Sequence, residues 1–477
     1  MSITLVTLLF LDFTGTLHHW FGWLAKIQFL PALLALNAGV IAALVAITLL
    51  FGRVYCSLIC PLGIMQDIFA RFGRMRRKYR YSYSPALTVL RLVMLALMAA
   101  SIILGISAIV VLLAPYSAYG RIAGNLLAPV WMLGNNALAV VAERAESYAF
   151  YSVDVWLKSG LSIAVAAVTL IALGILSWKN GRTYCNTICP VGTILGYLSR
   201  FSLLRPVIDT SKCNACGLCE RNCKAACIDS KQHKIDYTRC VACMNCIDTC
   251  RHGAISYTRR HSKTAGADPS QRRSFIATAA ALGTTAALQA QEKTVDGGLA
   301  AITDKQRPER RTPIVPPGAK SIKHLSNHCT ACQLCVAACP NGVLRPSTDL
   351  TRLMQPESSY ERGYCRPECT RCSEVCPAGA ITPVTREEKT AVQIGHAVWV
   401  ADNCVPLTDG VECGNCARHC PAGAILMVAS DPQDTDSPKI PVVNTARCIG
   451  CGACENLCPA RPFSAIYVEG YEKHRIN

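Results

Sequence analysis

The sequence predicts an α-helical membrane domain followed by two small cysteine-rich domains of the α+β class. Long apolar runs occur in the first 200 residues, which hold four of the 29 cysteines, whereas the remaining residues hold twenty-five. The hydrophobic share is 51% and the mean hydropathy is +0.27. This composition excludes both an ordinary soluble globule and a small disulfide-bonded scaffold.

The membrane domain, residues 1–200, is predicted from the lengths of its apolar runs. A helix needs roughly 20 apolar residues to cross about 30 Å of hydrocarbon. Three runs are long enough, namely Phe29–Phe51, Leu87–Leu113 and Leu161–Trp178. The shorter run Ser2–Phe13 is interpreted as a first span. We therefore expect four spans in this domain.

The orientation of these spans is predicted from charge. The loop after the second span carries one acidic residue, Asp67, and seven basic residues: Arg53, Arg71, Arg74, Arg76, Arg77, Lys78 and Arg80. The positive-inside rule puts this loop in the cytoplasm and the loop Pro115–Gly160 outside. The net charge of +17 partly reflects this topology, so we predict a multi-pass protein of the bacterial inner membrane with no nucleic-acid partner.

A twelve-residue motif occurs twice in the membrane domain. GRVYCSLICPLG at 52–63 and GRTYCNTICPVG at 181–192 share eight residues. Cysteines four apart lie on one helix face, and the following Pro marks a helix end. The prediction is that Cys56, Cys60, Cys185 and Cys189 meet at the cytoplasmic membrane surface as one redox unit. They either bind a further metal cluster or act as redox dithiols; the alternative is that they only pack a turn. The preceding Arg53 and Arg182 favour thiolates.

Residues 201–260 contain the spacing C-x2-C-x2-C-x3-C twice, which is typical of two-cluster ferredoxins. The sequence therefore predicts a ferredoxin-like domain with two [4Fe-4S] clusters, in which the fourth Cys of each run binds the other cluster. Zinc usually joins C-x2-C pairs across a longer gap. Cys227 is interpreted as a packed thiol. The predicted ligands are Cys213, Cys216, Cys219, Cys223, Cys240, Cys243, Cys246 and Cys250.

Residues 261–328 contain QRRSFIATAAALGTTAALQA and then a Pro-rich, charged linker. The arginine pair before a short apolar run resembles a twin-arginine export signal. We interpret it as a fifth span, or a cleavable one, that delivers the last domain to the outside. The alternative is an arginine pair beside a modest helix, because the run is short for a span.

Residues 329–477 contain four sets of four cysteines, each followed by Pro. Disulfides do not require fixed spacings closed by Pro, so this domain is predicted to be a four-cluster ferredoxin-like domain. With the preceding domain, six [4Fe-4S] clusters are expected. The sets are Cys329, Cys332, Cys335, Cys339; Cys365, Cys369, Cys372, Cys376; Cys404, Cys413, Cys416, Cys420; and Cys448, Cys451, Cys454, Cys458.

These motifs resemble two families. Residues 1–260, with two C-x3-C-P motifs before a two-cluster ferredoxin, resemble NapH-type membrane ferredoxins. Residues 270–477, with the twin-arginine segment, PPGA and CPARPFSAIYV, resemble NapG/MauM-type periplasmic ferredoxins. The chain thus resembles a fusion of two subunits. This resemblance implies that the first set pairs with the fourth through Cys339 and Cys458, and the second with the third through Cys376 and Cys420.

The resemblance also implies a function. Quinol would be oxidised at the membrane domain, and electrons would leave through the periplasmic clusters to a reductase, such as nitrate reductase, or a cytochrome acceptor. The cluster domains show no acid–base or nucleophile pattern, and no haem or flavin motif is found. The alternative is an accessory protein that supplies electrons for the assembly or maintenance of a respiratory metalloenzyme. A purely structural anchor would leave the clusters unexplained.

The turn LDFTGTLHHW, predicted outside, is a candidate for quinol chemistry. Asp12, His18 and His19 follow the first span, and His titrates near neutrality, so it suits the acceptance of quinol protons. The alternative is an interfacial loop anchored by Trp20.

Overall fold

The computed structural model of the chain describes residues 2–12, 14–76, 81–147, 150–259 and 304–476. A helical part comes first, and two parts built from short helices and two-stranded antiparallel sheets follow. The predicted twin-arginine segment lies outside the described residues.

The helical part contains thirteen α-helices in the described ranges, together with π-helical turns at Tyr55–Ile59 and Ala123–Leu127. They are α1 (Ser2–Leu11), α2 (Thr16–Phe21), α3 (Trp23–Lys26), α4 (Phe29–Leu34), α5 (Ala38–Phe51), α6 (Pro61–Arg76), α7 (Thr88–Leu104), α8 (Ser107–Leu113), α9 (Pro115–Ile122), α10 (Ala128–Arg144), α11 (Gly160–Asn180), α12 (Thr183–Thr187) and α13 (Pro190–Ser199).

Two of the predicted spans are not single helices. The run Phe29–Phe51 breaks between α4 and α5, where Leu36 has a φ of 52° and the Asn37 side chain caps α5 by accepting a hydrogen bond from the Val40 N–H at 3.2 Å. The run Leu87–Leu113 breaks between α7 and α8 at Gly105, whose φ is 72°. A left-handed residue ends helical geometry, so hydropathy alone overestimated the length of these helices. The third run lies within α11.

The segment Pro115–Gly160, which was predicted to be an outside loop, is largely helical. Residues Pro115–Arg144 form one continuous helix of 30 residues from α9 to α10, and its mean hydropathy is 1.3. This helix and α11 are the two in the described ranges that are long and apolar enough to cross a membrane. Helices α1, α5 and α7 are apolar but shorter. Polar Arg121 interrupts the apolar pattern of the sequence, although the folded helix buries it.

The second part folds around an antiparallel pair in which Leu204 lies opposite Arg259. Two short helices and a second small sheet lie between these strands. The elements are β1 (Leu204–Ile208), α14 (Leu218–Arg221), β2 (Ile228–Asp229), β3 (Lys234–Ile235), α15 (Asn245–Thr249) and β4 (Ile255–Arg259).

The third part contains three antiparallel strand pairs, β5 with β6, β8 with β9, and β7 with β10. Short 3-10 turns occur at Leu350–Arg352 and Ala401–Asn403. Its elements are α16 (Ile322–His328), α17 (Leu334–Ala338), β5 (Leu344–Pro346), β6 (Pro356–Ser358), α18 (Arg371–Glu374), α19 (Arg386–Ala391), β7 (Val392–Trp399), α20 (Val405–Thr408), α21 (Asn415–Arg418), β8 (Ile425–Asp431), β9 (Asp434–Val443), α22 (Ala453–Asn456) and β10 (Ile466–Ile476).

The two cysteine-rich parts contact opposite ends of α11. Near its start, the Ser162 hydroxyl accepts a hydrogen bond from Gln333 of the third part at 2.7 Å. Just beyond its end, the Arg182 N–H donates to the Lys224 carbonyl of the second part at 2.8 Å. A helix of 21 residues is about 30 Å long. The helical part therefore separates the two cysteine-rich parts.

Candidate metal centres

In the second part, Cys223 lies with the cysteines of the other run. Cys223, the fourth Cys of the first run, lies beside Cys243 and Cys246 of the second run. Cys219 lies beside Cys213 and Cys216. The exchange of the fourth ligand is thus visible for Cys223.

Cys227 is buried, with 1% of its surface exposed. Its sulfur lies 3.5 Å from the Cys223 sulfur, and it also interacts with Cys240. The hydrogen bond from Cys227 is the main cause that lowers the pKa of Cys223 to about 6. The expected packed thiol therefore contacts the sulfurs of two predicted ligands, which the motif spacing gave no reason to expect.

In the third part, the implied pairing of the four sets is wrong. Cys376 lies beside Cys329, Cys332 and Cys335, so the first set pairs with the second. The third set likewise pairs with the fourth. Three small cavities are each lined by four cysteines, namely Cys339, Cys365, Cys369 and Cys372; Cys404, Cys413, Cys416 and Cys458; and Cys420, Cys448, Cys451 and Cys454.

The strand pairs explain this arrangement. The antiparallel pair β5–β6 lies between Cys339 and Cys365 and folds the second set back onto the first. The pair β8–β9 lies between Cys420 and Cys448 and does the same for the last two sets. Pairing is therefore local in the chain, because each reversal brings neighbouring sets together.

The four runs with ferredoxin spacing share one backbone conformation. In each, the residues just before and just after the second Cys have a left-handed φ between 48° and 78°. Left-handed backbone is uncommon for residues other than Gly, so its repetition indicates one shared loop shape. The residues are Ala215, Gly217, Ala242, Met244, Ala331, Gln333, Gly450 and Gly452.

The sulfur environments fit iron–sulfur clusters. The last Cys of four runs accepts a backbone N–H at 3.3–3.4 Å, at Cys250, Cys376, Cys420 and Cys458. Hydrogen bonds to sulfur are a normal feature of cluster thiolates. In the described ranges no group of three or more His, Cys, Asp or Glu side chains comes close enough together to hold a single metal ion. The ligands of a cluster surround a larger space than those of a single ion.

Gly452 offers a test of the shared loop. A Cβ at this position would lie 2.2 Å from the Tyr360 ring, whereas a Cβ at Gly217 in the equivalent position would meet nothing closer than 3.7 Å. Both replacements strain the backbone, but only Gly452→Ala adds an overlap. We expect Gly452→Ala to lower the free energy of unfolding by about 1–3 kcal/mol more than Gly217→Ala, measured by denaturant titration. Equal losses would contradict the packing shown for Tyr360.

The four thiols of the repeated motif converge, as the sequence predicted. Cys56, Cys60, Cys185 and Cys189 are 4–5% exposed. Burial raises the pKa of Cys60 to about 12, and the nearby Cys185 and Cys56 add to the rise. The predicted helix ends are confirmed, because Cys60 and Cys189 are extended and a new helix begins at the Pro that follows each.

The two copies of the motif hold each other through their arginines. The Arg53 Nη2 donates to the Cys185 carbonyl at 3.3 Å and lies 3.8 Å from the Cys56 sulfur. Arg182 of the second copy reciprocates, since its Nη1 donates to the Cys56 carbonyl at 2.5 Å. Gly63 and Gly192 leave room for these guanidinium groups, because a Cβ on either would come within 3.1 Å of one. The repeat therefore builds one centre from two halves.

The charges around this centre are mainly positive. Arg53 and Arg182 are fully buried, and Lys224 is largely buried. Asp67 pairs with Arg182 and Lys224 at 2.5 and 2.6 Å. Burial alone would raise the pKa of Asp67, but these cations outweigh it and lower the pKa. Arg53 and Arg182 are the cations that act on the four thiols, while Arg53 also faces Cys240 and Lys224 faces Cys243 of the second part.

The structure brings Asp12 and His18 into contact. The His18 Nδ1 lies 3.2 Å from the Asp12 carboxylate, and His18 Nε2 is buried without a hydrogen-bond partner among the described residues. Asp12 also accepts backbone N–H groups from Gly15 and Leu17, both at 2.8 Å, so it fixes the turn. His19 is exposed and contacts Trp20 edge-on at 5.6 Å.

Two cavities flank this turn where it meets the third part. One, of about 430 Å³, is lined by His18 and His19, by Arg371, and by Ala338 and Val375, which directly precede Cys339 and Cys376. The other, of about 740 Å³, is lined by Phe10, Met132, Trp156 and Cys339, among others. Arg371 lines both and donates to the Thr14 carbonyl at 3.0 Å. The candidate quinol turn thus adjoins cluster-binding loops.

Models of known protein families match both halves of the chain. A 4Fe-4S binding domain matches residues 33–80 and 159–208, which contain the repeated motif. A 4Fe-4S dicluster domain matches residues 239–343, 364–424 and 411–461.

Curated proteins are also similar to the chain. The methylamine utilization ferredoxin-type protein MauM of Paracoccus denitrificans is 32% identical over 170 residues, 34% of this chain and 73% of MauM. The ferredoxin-type protein NapF of Escherichia coli is 28% identical over 161 residues, 33% of this chain and 87% of NapF. YccM of Escherichia coli is 23% identical over 227 residues, 46% of this chain, which spans about half (55%) of YccM. Together with the cysteine geometry, the MauM match shows that the chain belongs to the ferredoxin-type [4Fe-4S] protein family that includes MauM.

Proposed function

We propose that this protein is a membrane-bound electron-transfer component that oxidises a quinol, such as menaquinol, and passes the electrons to a periplasmic reductase or cytochrome. Iron–sulfur electron transfer is the function common to ferredoxin-type proteins. The quinol step rests on one observation, the position of His18 at the wall of a cavity beside the loops of Cys339 and Cys376, with a buried Nε2 that has no hydrogen-bond partner among the described residues. When bound, each cluster accepts and releases one electron at a time.

The arrangement of the helices supports a membrane location. Helix α11 is about 30 Å long, which matches the thickness of the hydrocarbon core. Its apolar side chains Val168, Ile171 and Ile175 are 54–67% exposed, as expected for contact with lipid. Because the two cysteine-rich parts lie at opposite ends of this helix, we propose that residues 204–259 face the cytoplasm and residues 304–476 the periplasm.

In this proposal His18 accepts a quinol proton at Nε2. Asp12 accepts the Nδ1 hydrogen, so it fixes the tautomer that leaves the Nε2 lone pair free. Burial lowers the pKa of His18, and Arg371 adds to the effect while Asp12 opposes it. The imidazole is therefore neutral and ready to accept a proton at neutral pH. Asp12 positions His18. The step is assigned to His18 rather than to His19, which also lines the cavity, because Asp12 contacts the His18 ring.

The repeated motif is proposed to form a metal-bound redox centre, a seventh cluster, rather than a pair of dithiols. Its buried cations favour anionic thiolates, because an uncompensated buried charge is costly. Metal binding deprotonates thiols, which would supply that negative charge. The match of a 4Fe-4S binding domain to both copies supports the same choice.

His18→Gln is the variant that tests the quinol step. It is expected to slow menaquinol-dependent reduction of the clusters by about 10²–10⁴-fold, the usual contribution of a general base. His19→Gln is the comparison variant, because His19 also lines the cavity; it should slow the reduction far less, since Asp12 orients His18. As the pH is lowered, the wild-type rate should begin to decrease only at a pH below about 6.5, the ordinary pKa of histidine. The reason is that the pKa of His18 is lowered. A His18→Gln protein with the normal rate would leave electron transfer from another donor as the function.

A further inference from the structure

Helix α9 carries a buried cation into the interior of the protein. All eight of its residues are buried, and it packs against α6 and α11. Arg121 donates one hydrogen bond, from Nη1 to the Val111 carbonyl at 2.9 Å. Its Nε and Nη2 are buried without a partner among the described residues.

The first cysteine set lies directly against this helix. A Cβ on Gly120 would be 2.3 Å from the Cys332 carbonyl, so the loop and the helix backbone touch. Cys332 lies near enough to Arg121 for its thiolate form to interact favourably with the guanidinium charge. The neighbouring Tyr116 lies near Cys332 and Cys376, and its hydroxyl also has no partner among the described residues.

This arrangement requires a negative charge near Arg121. A buried guanidinium without a counter-charge is strongly unfavourable. The negative charge of four thiolates exceeds the positive charge of the [4Fe-4S] core that they hold, so the whole centre is anionic. Reduction adds one further negative charge. The buried donors of α9 therefore suit the reduced form of a centre held by the first set.

We propose that Arg121 raises the reduction potential of the cluster bound by Cys329, Cys332, Cys335 and Cys376. Net charge and hydrogen bonding near the sulfurs are the known determinants of cluster potential. Arg121 stabilises the centre after it gains one electron, so this centre becomes a preferred electron acceptor next to the helical part. The inference rests on the iron–sulfur loading of this set and not on the identity of the electron donor.

The test is a redox titration of the full-length protein with dithionite, followed by electron paramagnetic resonance. In Arg121→Gln, the equilibrium constant for reducing one centre should fall at least tenfold, equivalent to 59 mV for one electron. Arg121→Lys keeps the charge and should retain most of the potential. Arg475→Gln, at an exposed position of β10, is the control and should shift no centre.

Iron analysis of each variant separates the possible failures. Full iron content with unchanged potentials in Arg121→Gln would overturn the inference while leaving the clusters in place. A shift in Arg121→Lys as large as that in Arg121→Gln would also overturn it, because the charge is then not the cause. Loss of iron from Arg121→Gln but not from Arg121→Lys would support it. A wild-type protein without iron in this set would instead refute the loading on which the inference depends.

Discussion

Replacing Glu455 with alanine is expected to lower the free energy of unfolding of the C-terminal part by roughly 3–5 kcal/mol, the cost of breaking a buried ion pair. The Glu455 carboxylate pairs with Arg310, and the two side chains are 2% and 1% exposed. The same carboxylate accepts the Val468 N–H at 2.8 Å. Its removal leaves the Arg310 charge and a β10 amide buried without their partner.

This effect is measured as the denaturant midpoint followed by circular dichroism and by cluster absorbance. Asp154→Asn provides a control, because Asp154 pairs with Arg362 at 2.8 Å but their side chains are 79% and 47% exposed. Exposed pairs contribute little, so this variant should behave like the wild type. Equal midpoints for both variants would show that the buried pair does not hold the cluster loop of Cys454 and Cys458 in place.

The cysteine sets show how far spacing alone predicts the site. Spacing identifies the loop of each ferredoxin run, and the shared left-handed residues beside Cys216, Cys243, Cys332 and Cys451 give these loops one shape. Spacing does not reveal which set receives each fourth Cys. That choice depends on the strand reversals β5–β6 and β8–β9, which are not encoded in the distance between cysteines.

The helical part shows a different limit. Hydropathy is averaged along a run of many residues, so it does not detect a break made by one residue, such as Leu36 or Gly105. It also treated the segment of Arg121 as a loop, because a charged residue lowers the average. In the folded protein that charge is enclosed by neighbouring helices, so a tertiary contact decides the structure of the segment.

The repeated motif was more predictable. Its cysteine spacing and the prolines predicted both the convergence of the thiols and the helix ends. The reciprocal contacts of Arg53 with Cys185, and of Arg182 with Cys56, were not predictable. They require two copies to face each other, and a single copy does not specify its neighbour.

Replacing Cys185 with serine is expected to abolish electron transfer between the two cysteine-rich parts. The motif lies between them: the Arg53 Nη1 donates to the Thr238 carbonyl of the second part at 3.1 Å, and Tyr184 interacts with both Cys189 and Arg121, the residue that faces Cys332 of the third part. A serine oxygen is a harder ligand than a thiolate and is poorly suited to iron–sulfur sites. Thr187→Ser is the matched control, because it lies in the same short helix and its hydroxyl donates to the Thr183 carbonyl.

Iron analysis of the Cys185→Ser protein distinguishes the three interpretations of the motif. Six ferredoxin-type clusters contain about 24 iron atoms, and a seventh in the motif would bring the total to about 28. We expect the wild type to contain the larger number and the variant the smaller. A wild type with about 24 iron atoms whose electron transfer still depends on Cys185 would identify redox dithiols. If neither the iron content nor the transfer changes, the four cysteines only pack the turns. The buried guanidinium groups of Arg53 and Arg182 beside these thiols favour the first outcome, because thiolates held by a metal would supply negative charge next to them.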